Sequence, residues 1–157
     1  MAAEKFEKLT KALENLSKAC VEHERIRREG IRLNFTKILP EPPKELLPTT
    51  ITIKDKSGRK YWIRIYKYDR YWDFTVGEGN QRHGSYRSFI FSDKVIYPDS
   101  SEAEILLFIV ENAEEIAREI NEKASEIWAR ASQLTEVAEK LKKLKALIDL
   151  VGGGGEQ

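Results

Sequence analysis

The chain has 157 residues, of which 41% are hydrophobic and 34% charged, enough to build one core and hardly two. Its 27 Lys and Arg nearly balance 26 Asp and Glu, which excludes a generally polycationic nucleic-acid coat and an acidic disordered tail. The longest purely apolar run, Ile105 to Val110, falls far short of the ~20 residues of a membrane helix, and a lone cysteine allows no internal disulfide.

The first segment repeats its apolar positions at Phe6, Leu9, Leu13, Leu16, Cys20 and His23, the heptad seam of a helix that wants a partner helix, and Gly30 ends it. It carries acids throughout, which fits neither a secretory signal nor a transit peptide, so a cytoplasmic location is expected. Ile31, Leu33 and Phe35 then alternate with polar residues as a short half-buried strand. Prolines at 40, 42, 43 and 48 forbid helix or central strand and make 39–49 an extended connector.

From Thr50 to Tyr97 the pattern is that of an antiparallel meander. Ile51 and Ile53 alternate, Lys56-Ser57-Gly58-Arg59 supplies turn chemistry, and Tyr61, Ile63 and Ile65 alternate with Trp62, Arg64 and Tyr66. A second turn near Lys67 to Arg70 leads to a strand at Tyr71 to Val76. The Gly77 to Ser85 stretch reads as a hairpin loop, Tyr86 to Phe91 returns, and Val95 to Tyr97 adds a short edge. The connections are too short for parallel crossovers.

Pro98 to Ser101 stops the sheet, and Ser101 with Glu104 has capping-box spacing. No Gly or Pro intervenes before Gly152, and Ile109, Ala113, Ile116 and Ile120 lead, after a stutter, to Ala124, Ile127, Ala131, Leu134, Ala138 and Leu141. Unbroken, residues 101–151 would extend about 75 Å. The helix is therefore expected either to fold back around Ser132 to Thr135 or to pair with another chain, with 152–157 a flexible tail.

The expected fold class is α+β: an antiparallel meander of three to five strands inserted between an N-terminal helix and a long C-terminal helix or helical hairpin, all within a single domain. The two helical seams are expected to bury each other, Phe6, Leu9, Leu13 and Leu16 against Ile116, Ile120, Ile127 and Leu134. Abundant Glu, Lys, Arg and Ile beside three Gln, five Asn, one Cys and one Met suggest a thermophilic source.

Charge is unevenly divided: residues 31–98 carry a net +6 and residues 99–157 a net −6. Where Trp62, Arg64 and Tyr66 share one strand face, aromatic planes alternate with a cation, a combination that stacks bases and pairs phosphates. The candidate nucleic-acid-binding residues are Lys60, Trp62, Arg64, Tyr66, Arg82 and Arg87.

Gly77 to Gly84 looks like a phosphate-cradling loop but leads into a strand, not a helix N-terminus, so the hairpin reading is preferred. Cys20 and His23 share the apolar seam with no third residue to orient them, and two His with one Cys make a zinc site improbable. No catalytic residue, cofactor or metal is expected. A helical body interrupted by a β insertion resembles the small subunits of archaeal CRISPR surveillance complexes, which assemble along a nucleic acid; the likeness is architectural, involves no motif and transfers no residue.

The reading that follows is a non-enzymatic protein that binds DNA or RNA through its sheet and self-associates or meets a partner protein through its helices. The alternative is a protein–protein adaptor or coiled-coil module that touches no nucleic acid.

Overall fold

A computed structural model describes residues 1–79 and 85–154. Met1–Ala113 and Glu114–Gln157 form two units. The first holds helix α1 (Ala2–Arg27), strands β1 (Ile31–Leu33), β2 (Thr49–Lys54), β3 (Lys60–Tyr68), β4 (Tyr71–Glu78), β5 (Tyr86–Ile90) and β6 (Lys94–Ile96), and helix α2 (Ser101–Glu111). Helix α3 (Ala113–Gly154) starts at the last residue of the first and makes up the described part of the second. The α+β class and the meander are as the sequence implies: β2 to β5 form an antiparallel four-stranded sheet in chain order, while β1 and β6 pair as a separate two-stranded ribbon.

Two turns set the register. At the first, Asp55 Oδ1 accepts from the backbone N–H groups of Ser57 and Arg59, and Gly58 takes the positive φ of 86° that the bend requires. At the second, Tyr68 pairs with Tyr71, so Asp69 and Arg70 alone close the hairpin, and Asp69 adopts φ 55°, a left-handed conformation that Asp tolerates better than most residues.

One sheet face carries the core. Ile51, Ile53, Ile63, Ile65, Val76 and Phe89 point the same way and are buried, with Ile105 and Ile109 of α2 among the buried residues of the same unit. Tyr61 meets Phe108 of α2 at a ring distance of 4.6 Å. Phe35, Phe74, Phe89 and Phe91 form edge-to-face pairs 4.8–5.6 Å apart, the arrangement that aromatic quadrupoles favour. The proline connector is tied to this body by carbonyls: Trp72 Nε1 donates to Pro40 O at 2.6 Å and Lys67 Nζ to Lys44 O at 2.8 Å.

Several helical expectations are corrected. Helix α2 is capped by Ser100, whose hydroxyl accepts from Ala103 N, rather than by Ser101. Of the two alternatives for residues 101–151, the fold-back at 132–135 does not occur, since α3 is continuous there; helical geometry is interrupted instead at Asn112, where φ is −107° and ψ 17° and Nδ2 donates to Phe108 O, and α3 runs on to Gly154, past the expected start of the tail. The seam of α1 is open to solvent, since none of its residues is buried and Phe6, Leu9, Leu13, Leu16 and Cys20 are all exposed. Within α3, Ile127 and Leu134 are exposed as well, whereas Ile116 is buried. No helix among the described residues is long and apolar enough to cross a membrane.

Candidate nucleic-acid interface

Strand alternation builds the second face of the sheet row by row. The observed register places Thr52, Trp62, Gly77 and Tyr86 in one row, Thr50, Arg64, Thr75 and Ser88 in the next, and Tyr66, Asp73 and Ile90 in a third. Lys54 and Lys60, paired with each other, continue the same face toward the first turn. A shallow groove of about 460 Å³ runs between Pro48 and Thr50 at one edge and Tyr86 at the other, over Trp62, Arg64, Tyr66 and Thr75.

Trp62 is expected to stand open on this face, and it does not: it is only 8% exposed. Its indole lies over Gly77, so closely that a Cβ on that glycine would fall 2.2 Å from the ring, and Tyr86 packs against it at 6.3 Å. A tryptophan across from a glycine fills the notch that the missing side chain leaves. Tyr86 takes over as the open ring, 67% exposed.

Arg64 is exposed and its guanidinium sits 5.4 Å from the centre of the Tyr66 ring, a cation–π spacing that holds the charge over the groove. Among the described residues no carboxylate lies within ion-pair distance of Arg64, Lys54 or Lys60. The acid nearest in register, Asp73, is 4% exposed, with its carboxyl pushed up by burial against the opposing effects of a Tyr66 hydrogen bond and the charge of Lys94. Beneath the groove the hydroxyls of Tyr66, Thr75 and Ser88 form a chain with links of 2.9 and 2.8 Å. Trp62 Nε1 and Asp73 Oδ1 have no hydrogen-bond partner among the described residues.

Of the sequence-derived candidates, the structure thus brings together Lys60, Trp62, Arg64 and Tyr66. Arg87 is not brought together with them: it pairs in register with Val76, projects from the opposite, core-side face, and is ion-paired with Glu104 of α2. Arg82, with His83, lies outside the described residues. Sequence reasoning missed Tyr86, Thr75 and Lys54. Lys54 follows from the same alternation as Lys60, but Tyr86 joins the face only through the β4–β5 register, which an undefined loop length conceals.

The face offers the exposed Tyr86 ring, cations without a carboxylate partner among the described residues, and hydroxyl groups, which suit stacking and phosphate contacts. Among the described residues no cluster of three His, Cys, Asp or Glu could hold a metal ion. No family model, curated protein or solved structure matches this chain.

Proposed function

We propose that the open face of the β2–β5 sheet binds single-stranded nucleic acid, DNA or RNA, without catalysing a reaction on it, and that the helices join copies of the protein along the strand. The observation that carries the reading is Arg64: an exposed guanidinium without a carboxylate partner, held over the Tyr66 ring and in the row next to exposed Tyr86. An unfolded strand lying in the groove would stack a base on Tyr86 and place phosphates toward Arg64, Lys54 and Lys60. The exposed apolar seam of α1 and the exposed apolar residues of α3 support the assembly half, because contiguous apolar surface of this kind marks association sites.

Titration of a labelled oligonucleotide at two ionic strengths tests the reading. Binding should weaken steeply with salt, because each phosphate contact releases a counterion. A chain that binds no oligonucleotide at low salt would instead be an adaptor whose sheet meets only protein.

A further inference from the structure

The C-terminal half of α3 carries a heptad seam in a different register from the one that continues Ile127 and Ala131. Leu134, Val137, Leu141, Leu144, Ile148 and Val151 follow one another at spacings of 3, 4, 3, 4 and 3, a strict a/d stripe. All six are between 50% and 76% exposed. The stripe spans about 27 Å of helix at ~1.5 Å per residue.

The spacing reads the same in both directions. An antiparallel copy therefore sets Leu134 opposite the partner's Val151, Val137 opposite the partner's Ile148, and Leu141 opposite the partner's Leu144, an a position against a d position in each layer. The flanking positions choose between orientations. They hold Gln133, Lys140 and Leu147 on one side and Ala138 and Lys145 on the other. In a parallel pair each Lys140 would face the partner's Lys145, two like-charge contacts along the seam. In the antiparallel pair Lys140 faces the partner's Leu147 and Lys145 the partner's Ala138, so no like charges meet and the lysine stems cover apolar surface while their ammonium groups stay in water. Opposed helix dipoles favour the same orientation.

We propose that residues 134–151 of α3 form an antiparallel two-stranded coiled coil with the same segment of a second copy. The occupant is the chain itself because the stripe is its own complement in length, spacing and charge. The seam of α1 has the same length and spacing but makes no such selection: its flanks are Lys5, Ala12 and Ala19 on one side and Thr10, Ser17 and Glu24 on the other, and neither orientation sets like charges opposite each other. The twelve seam side chains of two copies cover on the order of 1,000 Å², the low end for a specific interface. This inference rests on the self-association proposed above and specifies its segment and direction.

Light scattering of the full chain over a micromolar concentration series should show a monomer–dimer equilibrium. Leu141→Lys should leave a monomer with an unchanged far-ultraviolet dichroism spectrum, because Leu141 is exposed and lysine is a good helix former. Leu13→Lys on α1 should keep the dimer. In a Cys20→Ser background, Leu141→Cys and Leu144→Cys should form a disulfide when mixed and oxidised, and neither should cross-link with itself. A wild-type chain that is monomeric throughout overturns self-association as a whole. A dimer that survives Leu141→Lys, or a Leu141→Cys chain that cross-links with its own kind, leaves self-association standing and overturns this segment or this direction.

Discussion

Trp62 rests on Gly77, and the contact is close enough that no side chain larger than hydrogen fits beneath the indole. The pair lies side by side in the β3–β4 register and joins the aromatic end of the open face to the sheet backbone. Gly77→Ala should expel the ring or shift the strand, at a cost of about 1–3 kcal/mol typical of overpacking. The measurement is urea unfolding followed by tryptophan fluorescence, with the emission of the folded variant expected at longer wavelength than that of the wild type as Trp62 meets water. A Gly77→Ala chain of unchanged stability and emission would show that the ring does not sit there.

Arg64 and Arg87 make a matched pair of opposite expectations. Both are exposed arginines on neighbouring parts of one sheet, but Arg64 faces the groove and Arg87 reaches Glu104 on the core side. Arg64→Ala should lower the salt slope of oligonucleotide binding by about 0.7, one phosphate on a single strand. Arg87→Ala should leave binding and slope as they are and cost about 0–1 kcal/mol of stability, the usual worth of an exposed ion pair. Equal binding losses in the two variants would mean that contact comes from general charge rather than from a face.

Tyr86 should contribute stacking rather than charge. Tyr86→Ala should reduce affinity for a single strand by about 1–3 kcal/mol while leaving the salt slope unchanged, since a base leaves the ring but no counterion is recovered. The ring is mostly in water already, so folding should be little affected. A change of slope without loss of affinity at low salt would contradict a stacking role.

The strands of this protein are legible in its sequence because period-two alternation and turn chemistry agree: across a Lys-Ser-Gly-Arg turn the observed register pairs Ile51 with Ile63, Ile53 with Tyr61 and Thr49 with Ile65, which keeps all four isoleucines on one face as alternation requires. The face of Arg87 was not legible for the same physical reason. Slipping a strand by one residue exchanges its faces, and although Tyr86 is legible as the start of β5, nothing in the sequence fixes which residue of β4 it pairs with. Trp62 looked open because alternation places it away from the isoleucines; only the absence of a side chain across the strand, at Gly77, buries it. The helix break is another such case. The stutter after Ile120 marks a bend or a local unwinding, yet the interruption falls at Asn112, whose backbone N–H and side-chain Nδ2 both donate to Phe108 O.

The proline connector should depend on one indole. Trp72 is half-buried, and its Nε1 donation to Pro40 O at 2.6 Å joins the connector to β4, seconded by Lys67 at Lys44 O. Trp72→Phe keeps the aromatic bulk and removes the bond, worth about 0.5–1.5 kcal/mol net. The loss should be local, read as faster hydrogen exchange and earlier proteolytic cleavage within 38–48 while the sheet stays protected. Uniform loss of protection across β2–β5 would show instead that the connector and sheet open as one unit.

Asp73 gives the sheet a dependence on pH opposite to that of carboxylates held in ion pairs. Burial raises its proton affinity in the folded state above that of the unfolded chain, whose aspartates ionise near pH ~3.9. Ionised Asp73 therefore costs stability at pH values above its folded pKa, and the cost fades as acid protonates it and is gone below the unfolded value. Asp73→Asn, neutral at every pH, should be more stable than the wild type at neutral pH, and the difference should shrink toward pH ~4. Carboxylates held low act in the reverse sense: Glu24, at about 2 because of its Arg27 hydrogen bond, and Asp93, lowered by donation from Thr36 N and Oγ1, lose stabilising charge as the pH falls. Both are present in either protein, so their contributions cancel when urea midpoints of variant and wild type are subtracted across a pH series. A difference that stays constant through that series would mean that Asp73 ionises in the folded sheet as it does in the unfolded chain.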